Sequence, residues 1–65
     1  MKEQVFNYIY DNPGCTSSGV NKAVRDDKHV TDWIATRAEI DQLIAAGRVE
    51  ERLYRGISTF YACLE

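Results

Sequence analysis

The basic side chains are the residues of this chain whose types could do chemistry, and that chemistry is contact with phosphate oxygens and guanine edges. The chain has eight lysines and arginines in 65 residues, and two of them, Lys2 and Arg48, lie apart from the others. The other six are Lys22, Arg25, Lys28, Arg37, Arg52 and Arg55. They fall on a predicted second helix, the turn that follows it, a third helix and a hairpin. The net charge of −2 excludes a protein that coats nucleic acid by bulk charge, but not one with a local cationic face.

Patterns typical of catalysis or metal binding are scarce. His29 is the only histidine and falls in a polar turn beside the carboxylate pair Asp26-Asp27. Cys15 and Cys63 are too far apart in sequence for a zinc knuckle, and no phosphate-binding glycine loop occurs. We therefore predict a protein that is not an enzyme and that uses no metal or cofactor.

The first part of the chain predicts a helix from Lys2 to Asn12, with Val5, Phe6 and Ile9 on its buried side. Asn12-Pro13-Gly14 ends it, because proline cannot continue a helix and glycine permits a turn. Cys15 follows as the centre of a very short strand. Thr16 is the predicted N-cap of a second helix that runs from Ser17 to Val24 or Arg25.

The third helix, Thr31 to Ala46, has the clearest helical period. Thr31 is its predicted N-cap, and Gly47 ends it in a left-handed conformation. A stripe at spacings of three and four predicts its buried side. The stripe contains Trp33, Thr36, Ile40, Leu43 and Ile44. We expect Trp33 in the core, with an exposed contact for a partner or a base as the alternative.

After Gly47 the period changes to that of strands. Val49 and Leu53 are predicted to point inward, and Arg55-Gly56 is a turn signal. The second strand falls within Ser58 to Leu64. Phe60, Ala62 and Leu64 share one face of it.

This order of elements, and several short motifs, resemble the winged-helix family of bacterial transcription regulators. The motifs are Val5-Phe6-Asn7-Tyr8-Ile9, Asn12-Pro13-Gly14-Cys15-Thr16 and Ile40…Leu43-Ile44-Ala45-Ala46-Gly47-Arg48-Val49-Glu50. Val30-Thr31-Asp32-Trp33 and Arg55 to Tyr61 are weakly similar to small fimbrial-operon regulators, and phage regulators are equally plausible relatives. The resemblance implies one α+β domain over residues 1–65, a winged helix-turn-helix. It would have a three-helix core, a short strand after helix 1 and a C-terminal β-hairpin wing.

In that layout the short strand lies beside the last strand, so Cys15 and Cys63 are expected to be neighbours, as two reduced thiols or as a redox pair. The resemblance further implies that the third helix enters the major groove of double-stranded DNA while wing and helix 2 cations contact phosphates. A helical wheel then adds residues of the third helix to the DNA-binding set. These are Ile34, Ala35, Arg37, Ala38 and Gln42.

Two alternatives stay open at this point. Acidic residues on the third helix, such as Asp32, Glu39 and Asp41, also fit a protein-interaction winged helix that binds no DNA. Tyr10 on the first helix is the expected partner surface, for a homodimer or a larger protein. No apolar run could cross a membrane and no signal-peptide core precedes the first helix, so we expect a cytoplasmic protein. Leu64-Glu65 matches a common vector junction, so these two residues could derive from a tag.

Overall fold

The computed structural model describes residues 2–25 and 30–63, without the side chain of Val30. Three helices are followed by an antiparallel two-stranded hairpin, which makes a small α+β fold compatible with a winged-helix layout. The predicted order of helices and strands is confirmed. The elements are α1 (Lys2–Asp11), α2 (Ser17–Val24), α3 (Val30–Ala45), β1 (Val49–Tyr54) and β2 (Ile57–Ala62). The predictions for Asp26-Asp27, Lys28, His29 and Leu64 concern residues that lie outside the described part of the chain.

Helix α1 packs through one side. Val5 and Ile9, four residues apart, are fully buried, and Phe6 and Tyr8 pack partly buried beside them. The helix ends at Asp11, one residue before the predicted end. Asn12 closes it, because its backbone N–H and its side-chain Nδ2 both donate to the carbonyl of Tyr8 over 2.9 Å.

Cys15 forms the predicted short strand. It makes an isolated antiparallel bridge with Phe60, in which the N–H of Gly14 donates to Phe60 O and the N–H of Phe60 donates to Cys15 O, both over 2.9 Å. Cys63 lies three residues further along the chain, and its N–H donates to Arg48 O over 2.8 Å. Both cysteines are free. The partner of Cys15 is therefore Phe60, and the two thiols are not paired.

The predicted cap of α2 is confirmed. Thr16 has an extended backbone, and its Oγ1 accepts from the N–H of Gly19 over 3.2 Å. Gly19 faces the Tyr8 hydroxyl of α1, and a Cβ at this position would lie 3.5 Å from that oxygen. A Cβ at that distance would make an ordinary van der Waals contact, so the packing of α2 on α1 does not require glycine here.

The predicted cap of α3 is wrong, whereas its predicted end is confirmed. Val30 is already helical, so Thr31 lies in the first turn, where it cannot adopt the extended backbone of an N-cap. At the other end Gly47 has φ +77°. Its N–H donates to Ile44 O, and the N–H of Arg48 donates to Leu43 O, which together form a Schellman motif.

The hydrophobic core lies where the three helices meet the start of the hairpin. Its fully buried members are Val5, Ile9, Val20, Ile40, Leu43, Val49 and Phe60. Thr36 is also buried, but Trp33 is 38% exposed, so the expectation of a core tryptophan is wrong. The stripe on α3 is covered from Thr36 onward, and Trp33 lies one turn outside that covered part.

The hairpin projects beyond the core. Arg55 and Gly56 both have positive φ (54° and 81°), as a two-residue type I′ turn requires. Val49 pairs with Ala62 and is buried, whereas Leu53 pairs with Ser58 and is 75% exposed. Leu53 was expected to point into the core. It lies on the same side of β1 as Val49, but beyond the point where the helices cover the strand.

Candidate nucleic-acid interface

A chain of hydrogen bonds joins α2 to α3 inside the molecule. Arg25 Nη1 donates to Thr36 Oγ1 over 2.5 Å, and Thr36 Oγ1 donates to Asn21 Oδ1 over 2.7 Å. The guanidinium also donates to both carboxylate oxygens of Glu39, at 3.4 and 3.2 Å. Asn21 and Thr36 are fully buried, and the side chains of Arg25 and Glu39 are only 14% and 21% exposed. These contacts fix the position of α3 against α2.

This network changes the interpretation of Arg25, which the sequence grouped with the phosphate-contacting cations. Its guanidinium is engaged inside the fold by a hydroxyl and a carboxylate. A contact between Arg25 and DNA would therefore require the connection between α2 and α3 to break.

The outward face of α3 carries small residues and one large aliphatic side chain. Ala38 is exposed and Ala35 is half-buried, so the backbone is accessible along this face. Ile34 is 64% exposed. Gln42 is exposed one turn after Ala38, and its Oε1 accepts from Lys2 Nζ of α1 over 3.3 Å. Ala38, Gln42 and Ala45, which the helical wheel predicts to point away from the core, are exposed, and so is Ile34, which it predicts on the flank.

Arg37 connects α3 with the hairpin. Its Nε lies 3.1 Å from Asp41 Oδ1, and its Nη2 lies 3.1 Å from Glu51 Oε1 of β1. The guanidinium also lies over the Phe60 ring, 5.4 Å from its centroid. A hydrogen bond from Ser58, together with the contact to Arg37, holds the pKa of the Glu51 carboxyl below its usual value. Arg37 therefore contacts two carboxylates, one on its own helix and one on β1.

Arg52 on β1 is also paired. Its Nε and Nη2 donate to the two carboxylate oxygens of Glu50 at 2.9 and 3.2 Å. The hydrogen bonds and charge of Arg52 lower the pKa of the Glu50 carboxyl, and the guanidinium lies 4.8 Å from the Tyr61 ring centroid. Both partners are well exposed. Water and salt compete with such an exposed pair, so another anion can replace Glu50 at little cost.

The hairpin tip combines a cation with apolar side chains. Arg55 lies in the turn, and its guanidinium is 5.4 Å from the centroid of the Tyr54 ring. Tyr54 pairs with Ile57 across the strands, and both side chains are more than half exposed. Within residues 2–25 and 30–63, Arg55 makes no ion pair.

Lys22 is the exposed cation of α2, in the last turn of that helix. It too has no carboxylate partner within the part of the chain that the structure describes. Lys28, which was predicted to join this set, lies outside the described residues. The described cations of the predicted DNA-binding set thus divide into Lys22 and Arg55, which have no such partner among the described residues, and Arg25, Arg37 and Arg52, which are held by carboxylates.

A second surface lies on α1, away from the outward face of α3. Tyr10, the predicted partner surface, is 52% exposed, and its ring lies 6.3 Å from that of Phe6. Arg48 covers the Phe6 ring at 4.1 Å. Tyr10 is therefore accessible.

A shallow hollow of about 390 Å³ lies between α1 and α2 and is widely open to solvent. The lining residues are Gln4, Asn7, Tyr8, Ala23 and Val24. None of these five side chains is charged at neutral pH.

Within the described residues, no group of three His, Cys, Asp or Glu side chains could hold a metal ion. Burial raises the pKa of the Cys15 thiol, which disfavours the reactive thiolate. None of the described helices has the length and apolar character of a bilayer-spanning segment. Comparisons of the chain with protein-family models, curated proteins and solved structures gave no match.

Sequence reasoning missed the partners of Arg25 and Arg37, whereas Glu50 was a predicted alternative partner of Arg52 and is its partner in the structure. The Arg37–Asp41 pair has the i, i+4 spacing of a helical ion pair and could have been found from the sequence. The contacts of Arg37 with Glu51 and of Arg25 with Thr36 and Glu39 join different elements. No local spacing indicates them.

Proposed function

We propose that the chain is a winged helix-turn-helix domain that binds double-stranded DNA as a small transcriptional regulator in the cytoplasm. In this proposal α3 enters the major groove and the hairpin acts as the wing. The observation that carries the proposal is the exposed outward face of α3, where the side chains of Ala35 and Ala38 are short. Short side chains allow the helix axis to come close to base edges.

The cations support this orientation. Lys22 on α2 and Arg55 at the hairpin tip have no carboxylate partners among the described residues, so both are available to phosphates. Arg37 and Arg52 are held by exposed carboxylates in pairs of low stability, and a phosphate can replace a carboxylate on a guanidinium. Arg25 supports the interface indirectly, because it positions α3 against α2.

The affinity of one domain should be low. Lys22 and Arg55, with Arg37 and Arg52 if their carboxylates are released, could neutralise about two to four phosphates. A module of this size also covers limited DNA surface. The proposal therefore includes a second copy or a larger protein partner on the same DNA.

Fluorescence anisotropy with labelled random-sequence duplexes tests the proposal. Between about 50 and 200 mM salt, release of two to four counterions should lower the association constant about 10- to 150-fold. Arg55→Gln should weaken binding and flatten the dependence on salt. No binding at about 50 mM salt would contradict the proposal, because non-specific phosphate contacts are strongest there.

Arg48→Gln is the matched control. It removes one positive charge, as Arg55→Gln does, but from a guanidinium that covers Phe6 on the α1 side. This variant should keep the affinity and salt dependence of the original protein. Equal effects of the two substitutions would mean that net charge, and not a defined face, causes the binding.

A protein-interaction domain without DNA binding is the second candidate. The exposed apolar side chains of the hairpin, Leu53, Tyr54 and Ile57, favour it, together with Tyr10 on α1. NMR shift mapping separates the candidates. Added DNA should perturb Lys22, Ala38 and Arg55, whereas a protein partner that uses the α1 surface should perturb Tyr10 and Phe6.

A further inference from the structure

We propose that Ile34 is a specificity-determining residue that reads the 5-methyl group of a thymine in the major groove, while Arg37 is a positioning residue that reads no base. This inference rests on the proposed DNA binding and concerns how the same face would select its site. It follows from three observations: the exposure of Ile34, the short side chains next to it and the contacts of Arg37.

Ile34 is the large aliphatic side chain on the outward face of α3, and it is 64% exposed. An isolated exposed isoleucine needs no explanation on most surfaces. Here, however, Ala38 lies one turn after it and Ala35 directly follows it, so Ile34 projects further than these two alanines. A helix that approaches base edges on this face would bring Ile34 to them first.

Arg37, the obvious candidate for reading guanine, is turned toward the hairpin. Its Nε lies 3.1 Å from Asp41 and its Nη2 lies 3.1 Å from Glu51, so the Nε–Nη2 edge of the guanidinium faces these two carboxylates. Its face covers Phe60, a fully buried core residue. These contacts connect α3 to β1 and give Arg37 a role in holding the wing beside the helix.

A guanine contact requires a bidentate donor, whereas a thymine methyl requires an apolar surface. On the described outward face of α3, Ile34 and the alanines supply the apolar surface. Arg37, the arginine of that helix, is turned away from this face toward Glu51 of β1 and the buried Phe60 ring. The face therefore has the chemistry for a thymine methyl and lacks a ready donor pair for guanine.

The test begins with a duplex enriched from a random pool by repeated binding to the protein. Each thymine of that duplex is then replaced by uracil, one position at a time, which removes only the 5-methyl group. At one or more positions we expect the dissociation constant to rise about fourfold, the effect of one buried methyl group. Equal affinity for every uracil duplex would overturn the inference while DNA binding stands.

Ile34→Ala should weaken binding to the thymine duplex by a similar factor and abolish the difference between thymine and uracil. Leu53→Ala is the matched control, because Leu53 is an aliphatic residue of similar exposure on the hairpin. That variant should keep the discrimination. Both residues are exposed, so neither substitution removes a core side chain.

Replacement of guanine by 7-deazaguanine tests the role of Arg37, since it removes the N7 acceptor. We expect unchanged affinity. A loss of affinity for the 7-deazaguanine duplex that occurs in the original protein but not in the Arg37→Gln variant would assign guanine reading to Arg37. That result would overturn its role as a positioning residue. Failure to enrich any duplex would overturn the inference as well, and absence of binding at low salt would overturn the proposed function with it.

Discussion

Two arginine–carboxylate contacts hold α3, one on each side, and they differ in burial. On the α2 side, Arg25 binds Glu39 and the buried hydroxyl of Thr36. The side chains of Arg25 and Glu39 are only 14% and 21% exposed. On the hairpin side, Arg37 binds Glu51 where the two side chains are 41% and 30% exposed. The same pair of chemical groups therefore serves as a fixed connection on one side and as an exchangeable one on the other.

The difference follows from solvent. In the poorly hydrated contact between α2 and α3, separation of the charges would leave a guanidinium and a carboxylate with little water. Near the surface, water and salt compete with the pair, so its separation costs little. Any ligand that binds at α3 should therefore find the helix fixed relative to α2 but adjustable relative to the hairpin.

The largest expected effect comes from Arg25→Met. This substitution leaves Glu39 poorly solvated and removes the donor to Thr36. We expect a loss of about 2–3 kcal/mol in the free energy of unfolding, less than for a fully buried pair. Urea denaturation followed by circular dichroism measures it. A loss below about 0.5 kcal/mol would mean that the α2 side is no more fixed than an ordinary surface contact.

Thr36→Val should have the next largest effect. Valine has nearly the shape of threonine but cannot accept from Arg25 or donate to Asn21. The expected loss in the free energy of unfolding is about 1–2 kcal/mol, the usual range when buried polar groups lose a partner. Thr31→Val is the matched control, because Thr31 is exposed in the first turn of α3. Its stability should change by less than about 0.5 kcal/mol.

A double-mutant cycle with Arg37→Met and Glu51→Gln sharpens the comparison on the hairpin side. The coupling energy should be about 0.2–1 kcal/mol and should decrease in about 0.5 M salt. The equivalent cycle on Arg25 and Glu39 should give a larger coupling that depends less on salt. Equal coupling energies, or equal salt dependence, would show that burial does not separate the two contacts.

The smallest effect is that of pH on the hairpin side. The pKa of Glu51 is lowered in the folded protein by its hydrogen bond with Ser58 and by Arg37, so its ionised form favours folding. This contribution is complete above the ordinary glutamate value, about 4.3, and is lost as the pH falls through the lower folded pKa. Urea midpoints measured across acidic pH should fall slightly less steeply for Glu51→Gln. An identical profile would indicate that the carboxylate does not favour folding.

Local patterns were enough to predict much of the fold. The cap at Thr16, the left-handed Gly47 and the Arg55-Gly56 turn each depend on a few neighbouring residues, and all three are confirmed. The prediction that Cys15 forms a very short strand is confirmed too. The turn residues on both sides of Cys15 prevent a longer element there. These features obey rules that act over a few residues.

The burial and contacts that could not be predicted from the sequence depend on where one element ends relative to another. Trp33 and Leu53 continue the periodic patterns of their helix and strand, yet each lies beyond the part that other elements cover. The partner of Cys15 is Phe60 rather than Cys63 because of the register of the bridge. For the same reason Arg25 looked like a surface cation, since its contacts with Thr36 and Glu39 arise only when α2 and α3 pack together.

The open edge of β1 has a consequence for how the protein behaves at high concentration. β2 lies between β1 and the bridge at Cys15, so the other edge of β1 is unpaired within the described residues. Such an edge is a template on which a strand from another molecule can add and begin aggregation. Glu50, Glu51 and Arg52 place charges on both faces of this strand. Besides making ion pairs, these side chains therefore protect the edge against self-association into extended sheets.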